Sequence, residues 1–312
     1  MKTKLIILCI NLFFSQDLLA RYNQQEDKVM SICVPKCGTH LLMKCLSLFG
    51  IRGLSYDYNN VIKLDPKDLA RIRELNKNKP PLHYKGSFDI PTVGPLPQGT
   101  INRFELLHTQ KLFWNHWPYT QEFESYLRDH TYANFLIIRD PRDMVISFAK
   151  MVQTKPTGYE TSQDVSLDTI IIDLITGKKE HYLAWGVEIQ GAYPVLWDLG
   201  LYNFYKLYLP WAHVKNFMVI KFEDLIGPAG AGTIEKQQET ITKIAHHIKI
   251  TLTPEKLQEI TKNIFGGTWT FREGKIGSWK KHFTPAIKEI FKQDKQLLQL
   301  LIDLGYEKDM SW

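Results

Sequence analysis

The sequence predicts an α/β fold in which a central parallel sheet is covered by helices on both faces. Apolar runs rich in β-branched and aromatic residues recur along the chain, and amphipathic helical patterns separate them. Strands without polar alternation are typical of a sheet buried on both faces, and helices between them favour parallel order. The predicted strands are Val29–Val34, Phe135–Ile138 and Phe217–Ile220, and the predicted helices are Gln121–Asp129, Pro141–Met151, Gln238–Ile248 and Pro285–Leu304. No repeat, long low-complexity segment or linker interrupts the pattern, so we expect a single domain over residues 21–312.

Length and composition indicate a folded, mildly basic protein. The chain has 312 residues, of which 44% are apolar and 12% aromatic, which suits a sizeable core and excludes a disordered chain. The net charge of +6 suits an anionic ligand, but it is too small and too dispersed to indicate nucleic acid. An ordinary solvated surface accounts for the same excess.

The first twenty residues follow the pattern of a secretory signal peptide. Two lysines precede the apolar stretch Leu5–Phe14, and a small residue, Ala20, ends the segment. A misplaced start codon or a cytoplasmic amphipathic extension would give a similar pattern. Cys33, Cys37 and Cys45 argue the other way, because an odd set of clustered cysteines is typical of free thiols in a reducing compartment. The protein is therefore secreted, periplasmic or lumenal if the signal is real, and cytoplasmic otherwise.

The stretch SICVPKCGTHLLMKCL, residues 31–46, has the features of a phosphate-binding loop. A buried strand ends before Pro35, and a helical apolar face begins at Leu41, so the loop Lys36–Thr39 lies at a helix N-terminus beyond a strand's carboxyl end. Amide groups there attract anions, Gly38 permits close backbone approach, and the lysine adds a full charge. The lysine precedes the glycine, so this is not the G-x-x-x-x-G-K-[ST] loop. A generic strand–turn–helix would look similar.

The stretch FLIIRDPRDMVISF, residues 135–148, predicts a second cationic position at the same sheet edge. Arg139 ends a strand, and the Asp-Pro dipeptide after it is a typical helix start. Ser147 follows two helical turns later and can project towards the arginine. Alternatively, Arg139 and Arg142 merely pair with the neighbouring aspartates.

Three further loops differ in what they predict. FREGKIGSWKKHFT, Phe271–Thr284, offers Arg272 and the backbone of Gly274 for a second phosphate, although alone it is only a basic loop. Thr154–Asp168 is polar and irregular, which favours a lid or substrate loop. GPAGAG, Gly227–Gly232, is predicted to be a mobile surface turn, because no GK[ST] follows it.

Together, PKCGTH, IIRDPRDMVISF and FREGKIGSWKKHFT resemble the PAPS-dependent sulfotransferase family, whose loops commonly read PKSGTTW, RNxKDxxVSxY and RKGxxGDWKxxFT. The resemblance spans roughly residues 29 to 290. It implies a P-loop NTPase-like fold related to nucleotide kinases, with PAPS (3′-phosphoadenosine 5′-phosphosulfate) as sulfate donor and no metal. It also implies in-line transfer to a hydroxyl or amine acceptor, which would be a small molecule, a glycan or a protein, with release of PAP.

The resemblance also assigns roles to residues. The 5′-phosphosulfate would be bound by Lys36, Cys37, Gly38, Thr39 and His40. The 3′-phosphate would be bound by Arg139, Ser147, Arg272 and Gly274. An aromatic near the adenine would be Phe222, with Phe271 and Thr268 as weaker candidates. The catalytic set would be His116 as base with Lys36 and Ser147, since the competing His108 lies too far from the arginine strand.

This chain departs from the family pattern at several positions. The departures are Cys37 for serine, Leu41 for the adenine-stacking tryptophan, Glu273 for lysine, Ser278 for aspartate, and Trp114 for a second active-site lysine, a role for which Lys111 could substitute. The family's dimer segment is matched only by Lys280, Thr284 and Glu289, with Pro285 in place of valine, which leaves a homodimer open.

Two other functions stay open at this point. A phosphoryl-transfer enzyme on the same scaffold is disfavoured because the chain lacks a GK[ST] loop and an obvious magnesium-binding aspartate. A non-catalytic nucleotide-binding relative is suggested by the departures at Glu273, Trp114 and Leu41, whereas His116 and Lys36 argue for activity. Aromatic residues in Phe113–Tyr119 and Tyr193–Tyr208 could line an acceptor pocket, although core packing explains them as well.

Overall fold

The computed structural model describes residues 28–51, 55–56, 62–63, 111–116, 118–153, 160–161, 165–178, 182–183, 196–268 and 271–312. The predicted signal segment, His108 and most of the predicted lid loop lie outside these ranges. No helix within them is long and apolar enough to cross a membrane. The three cysteines in the described part of the chain, at positions 33, 37 and 45, are buried and free.

The core of the fold is a four-stranded parallel sheet, as the sequence predicts. Its strands are β1 (Val29–Cys33), β4 (Leu112–Asn115), β5 (Ala133–Ile138) and β8 (Phe217–Lys221), in the order β4-β1-β5-β8. Two short antiparallel pairs lie apart from this sheet: β2 (Ser55–Tyr56) with β3 (Ile62–Lys63), and β6 (Glu160–Thr161) with β7 (Tyr182–Leu183). In the register of the main sheet, Val29 of β1 lies opposite Leu112 of β4 and Ala133 of β5.

Helices and short 3₁₀ turns connect the strands. In chain order, the helices are α1 (Thr39–Leu48), α2 (Gln121–His130), α3 (Pro141–Gln153), α4 (Leu167–Thr176), α5 (Leu196–Lys206), α6 (Phe222–Leu225), α7 (Ile234–His247), α8 (Pro254–Asn263), α9 (Trp279–His282), α10 (Pro285–Gln293) and α11 (Lys295–Asp303). The 3₁₀ turns are Leu209–His213 and Pro228–Gly230.

Hydroxyl side chains fix where several helices begin. The hydroxyls of Thr120, Ser166 and Thr284 each accept a hydrogen bond from the amide three residues later, at the starts of α2, α4 and α10. The prediction of one helix over Pro285–Leu304 is wrong. Asp294 ends α10 and its carboxylate caps α11 by accepting from two amides, so a carboxylate that competes for backbone donors splits the helix.

The two faces of the sheet carry separate cores, which explains the uninterrupted apolar strands. Met30 and Leu136 face one core, which is completed by α2, α3, α4, α5, α10 and α11. Val29 and Phe135 face the other, which is completed by α1, α7 and α8. Successive strand residues point to opposite faces, and both faces are covered, so polar alternation is absent.

Candidate active site

The loop between β1 and α1 is shaped by two residues with positive φ. Lys36 has φ 68° and Gly38, the N-cap of α1, has φ 107°; no side chain caps the helix start. A Cβ on Gly38 would lie 2.7 Å from Phe222 Cδ2, so only glycine fits this position. The first amides of α1 therefore face the loop without a side-chain acceptor, as an anion site at a helix N-terminus requires.

Lys36 lies close to two arginines from distant parts of the chain. Burial lowers the pKa of Lys36 to about 7, with further lowering by the charges of Arg272 and Arg139. Its Nζ lies 3.4 Å from Met151 Sδ, a weak acceptor. The structure thus brings together the three cations that the sequence predicts at one edge of the sheet.

His116 follows directly after β4 and lies beside Lys36. Its Nδ1 lies 2.7 Å from the Cys33 carbonyl oxygen; because a carbonyl only accepts, Nδ1 carries the proton and Nε2 of the neutral ring is a free base. Burial lowers the pKa of His116 to about 4; the bond to Cys33 opposes this shift and the charge of Lys36 adds to it. The Tyr208 hydroxyl donates to the His116 carbonyl at 3.0 Å, which fixes the backbone. The ring is therefore neutral and oriented.

Trp114 lies between two imidazole rings. Its ring is 5.4 Å from His116 and 5.9 Å from His40, both edge-on. Burial is the main cause that lowers the pKa of His40 to about 4. Interactions with His116 and Lys36 lower it further. Trp114 thus packs both histidines in their neutral form, where the family pattern has a lysine.

Arg139, at the end of β5, is held on several sides but retains one unused donor. Its Nη2 donates to the Lys275 carbonyl at 2.8 Å and lies 3.8 Å from Asp143, and its guanidinium stacks 4.3 Å from the Phe222 ring centre. The side chain is 9% exposed, and Nε has no hydrogen-bond partner among the described residues. Buried polar atoms normally have a partner, so this donor is available to a ligand.

The Tyr205 hydroxyl holds the backbone of Arg139. It accepts from the Arg139 amide at 3.1 Å and donates to the Arg139 carbonyl at 2.8 Å. Tyr205 is fully buried, and so is Tyr208, while Phe113 is 5% exposed. These three described members of the two aromatic stretches therefore pack in the core.

Asp143 ties the first turn of α3 to the loop before α9. Its carboxylate accepts from the amides of Gly277 at 2.7 Å and Trp279 at 2.9 Å. This loop carries Arg272, so Asp143 fixes the Arg272 loop relative to Arg139 at the end of β5.

Arg142 has a structural role, in line with the ion-pair alternative. It pairs with Asp140 at 2.7 Å and with Glu307, and it stacks between Trp279 and Trp312 at 4.1 and 4.5 Å. The C-terminal residues thereby anchor the start of α3.

The GPAGAG stretch is a turn with exposed residues, as predicted, but its Gly230 is buried and supports the Arg272 loop. Gly230 is buried, and its carbonyl accepts from the Ile276 amide at 2.9 Å. A Cβ on Gly230 would lie 2.5 Å from the Gly274 carbonyl oxygen, so the glycine permits close contact of two backbones.

The remaining predicted site residues lie around these loops. Ser147 is half-buried two turns into α3. Phe222, 4% exposed, packs between Gly38 and Arg139. Phe271 is 37% exposed, and its amide donates to the Thr268 carbonyl at 2.9 Å.

Sequence reasoning missed the residues that hold the site from behind. Besides Tyr205, these include Met151 and Glu223, whose carboxylate accepts from the Asp140 amide at 2.9 Å and the Tyr306 hydroxyl at 3.0 Å. Burial raises the pKa of Glu223 to about 7. Each partner lies far away in the chain, so spacing gave no signal.

The fold and site define a class: a helix-covered parallel α/β fold with a cationic site at the carboxyl edge of its strands. Within that class the chain belongs to the sulfotransferase family, whose domain matches residues 26–265. The match ends before the Arg272 loop, so the family model does not cover that loop.

Individual relatives agree with this family. Sulfotransferase 6B1 of Danio rerio is 25% identical over 173 residues, which cover 53% of this chain and 49% of the relative. The chain thus aligns with about half the length of this curated relative. The crystal structure of mouse sulfotransferase SULT7A1 complexed with PAP matches with a TM-score of 0.51 and 13% identity, over 88% of this chain and 84% of that one. At this identity the structural match supports the fold.

Proposed function

We propose that the protein transfers a sulfuryl group from PAPS to a hydroxyl or amine of an acceptor and releases PAP. The observation that carries this proposal is the cluster of Lys36, Arg139 and Arg272 beside a neutral histidine, His116. Membership of the sulfotransferase family favours sulfuryl transfer over phosphoryl transfer. The PAP complex of the mouse structure supports PAPS as the donor.

The described residues fit a donor with two anionic groups. On the 5′ side, Lys36 and the amides around Gly38, Thr39 and His40 would bind the phosphosulfate, and Cys37 contributes only backbone because its side chain is fully buried. On the 3′ side, the unpartnered Nε of Arg139 supplies a donor, which Arg272 and Ser147 would join.

His116 and Lys36 have complementary roles in the reaction. When bound, PAPS supplies the sulfuryl group; the bond from the acceptor oxygen to sulfur forms as the bond from sulfur to the 5′-phosphate oxygen breaks. Nε2 of His116 takes the acceptor's proton, and the Cys33 carbonyl holds the ring in the tautomer this needs. Lys36 stabilises the charge that develops on the departing oxygen.

Donor class is tested first by ligand-induced thermal stabilisation. We expect PAP without magnesium to raise the unfolding temperature, because binding to the native state alone stabilises it. Stabilisation only by ATP with magnesium would favour a phosphoryl-transfer enzyme instead and overturn the proposal.

The role of His116 is tested with labelled PAPS and a pool of hydroxyl-rich acceptors. His116→Ala should lower transfer by about 10²- to 10⁴-fold while PAP binding is retained. His116→Asn keeps a donor for the Cys33 carbonyl but no base, so it should fail equally; His213→Ala, at an exposed histidine, is the matched control. Full activity of His116→Asn would exclude His116 as the catalytic base. An inactive wild-type protein that binds PAP would favour the hypothesis of a non-catalytic nucleotide-binding protein.

We also propose, from the sequence alone, that the first twenty residues are a signal segment, which would make the enzyme secreted, periplasmic or lumenal; without such a signal it would be cytoplasmic. A lumenal enzyme supplied with PAPS by a transporter would reconcile this with a donor made in the cytosol. Mass spectrometry of the mature N-terminus tests the cleavage. The homodimer remains a sequence-based prediction that light scattering would test.

A further inference from the structure

An ion pair joins α3 to the Arg272 loop through Lys150, a residue to which the motifs assign no role. Lys150 Nζ lies 2.6 Å from Glu273 Oε1. We infer that Lys150 binds the donor's 3′-phosphate and that Glu273 holds its ammonium group until the phosphate displaces the carboxylate. This inference rests on the proposed function, since it concerns the same donor.

The position of Lys150 on α3 supports this role. Residues three and four apart lie on one helix face, so Ser147, Lys150 and Met151 share a face. Met151 contacts Lys36 of the first loop, and Lys150 contacts Glu273 of the Arg272 loop. Ser147 therefore lies on the face of α3 that contacts both the Lys36 loop and the Arg272 loop.

On the loop, the ammonium group pairs with a residue that lies between two of the predicted 3′-phosphate ligands. Glu273 lies between Arg272 and Gly274 in the chain. The residue after Gly274, Lys275, accepts a hydrogen bond from Arg139 through its carbonyl at 2.8 Å. A dianion held by Arg139, Arg272 and Ser147 would then have Lys150 as a third cationic neighbour.

The charges explain why Glu273 opposes donor binding only weakly. A carboxylate beside an anion site opposes binding, but Lys150 neutralises it, and the hydrogen bond from Lys150 is the main cause that lowers the pKa of Glu273. The side chains of Lys150 and Glu273 are 21% and 52% exposed, and ion pairs this open to water are weak. The ammonium can therefore exchange the carboxylate for a doubly charged phosphate, which attracts it more strongly.

The experiment compares PAP with adenosine 5′-monophosphate, which lacks the 3′-phosphate, by isothermal titration calorimetry at fixed salt. Lys150→Met should weaken PAP binding on the order of tenfold, the loss of one charge-assisted contact, and change binding of the monophosphate less than about twofold. Glu273→Gln should tighten PAP binding severalfold, because it removes the opposing charge while Lys150 stays. Lys243→Met is the matched control, since Lys243 pairs with Glu239 at 2.7 Å on α7.

Each outcome bears on one claim. If wild type binds PAP and Lys150→Met binds it equally well, the inference is overturned while the proposed function stands. Equal weakening of both nucleotides by Lys150→Met would make the pair a purely structural contact, which also overturns the inference. A wild type that binds neither nucleotide would instead overturn the proposed function.

Discussion

The two phosphate-side regions of the site hold their cations in opposite ways. In the first loop, Lys36 contacts a thioether in a buried position that lowers its pKa to about 7. In the second region, Arg139 donates to a loop carbonyl, and Asp143 accepts from two amides of the same loop. Lys36 is therefore held only weakly, whereas Arg139 is already bound before any ligand arrives.

This difference indicates a division of function. Groups already bound to a carbonyl or carboxylate have a fixed geometry, which suits placement of a ligand's remote end. A buried lysine with a weak partner gains most when an anion arrives, which suits the position where charge develops during transfer. Removing a contact should therefore affect the second region mainly through structure and the first mainly through charge.

The largest expected effect is in the second region. Asp143→Ala leaves the buried amide of Trp279 and the partly buried amide of Gly277 without an acceptor, and it removes the carboxylate 3.8 Å from Arg139. We expect the free energy of unfolding to fall by about 3–5 kcal/mol, as when one partner of a buried charged network is removed, and PAP binding to weaken with it. Denaturant unfolding and calorimetry measure the two effects.

Two variants serve as controls for Asp143→Ala. Asp143→Asn retains one oxygen acceptor for the amides and should lose less, about 1–3 kcal/mol. Asp129→Ala removes an exposed carboxylate 3.7 Å from Arg128 and should change stability by less than about 0.5 kcal/mol. If Asp143→Ala is as stable as Asp129→Ala, the second region is not held by this carboxylate.

An intermediate effect is expected at Gly38 in the first region. Gly38→Ala combines φ 107° with a Cβ 2.7 Å from Phe222 Cδ2, whereas Gly50→Ala has a similar φ of 88° and nothing within 4 Å. Gly50→Ala should cost about 1 kcal/mol of unfolding free energy from backbone strain, and Gly38→Ala about 2–4 kcal/mol because overpacking is added.

The Gly38 and Gly50 pair also separates strain from site geometry. Since Phe222 stacks on Arg139, displacement of its ring by Gly38→Ala should weaken PAP binding, and Gly50→Ala should leave binding unchanged. Equal loss of stability in both variants would show that Phe222 yields easily and that the glycine is needed only for its φ.

The sequence was sufficient where local chemistry decides the structure. Three sheet strands were predicted from their apolar runs; β1 and β5 are buried on both faces, whereas β8, at the sheet edge, is only partly buried. The start of α3 was predicted because Asp140 and Pro141 suit the first helical positions. The edge strand Leu112–Asn115 was not predicted, because four residues are too few for a periodic signal.

The same distinction between local chemistry and tertiary packing holds for the residues of the candidate site. Lys36, Gly38 and Arg139 follow strands, so their shared edge could be predicted from parallel order alone. Contacts such as Met151 with Lys36, 115 residues away in the chain, or Gly230 against Gly274, depend on tertiary packing. A single sequence carries no signal for them, and a glycine-rich stretch at a close backbone contact reads like a surface turn.

The smallest expected effect, a pH dependence of donor binding, tests the first region most directly. Lys36 has a pKa of about 7 without ligand, and a bound anion would raise the pKa of its ammonium group. Below pH 7 both states are protonated, so affinity for PAP should not vary through Lys36. Above pH 7 binding takes up a proton, so affinity should fall with rising pH by up to about tenfold, or 1.4 kcal/mol, per unit.

Calorimetry in two buffers of different ionisation enthalpy at pH 8 measures this proton uptake directly. Lys36→Arg should bind PAP without it, because a guanidinium stays charged at every pH of the experiment. Lys150→Met should keep the uptake, because Lys36 remains. Uptake of a proton by Lys36→Arg, or none by wild type, would place the responsive charge elsewhere and remove the contrast between the two regions.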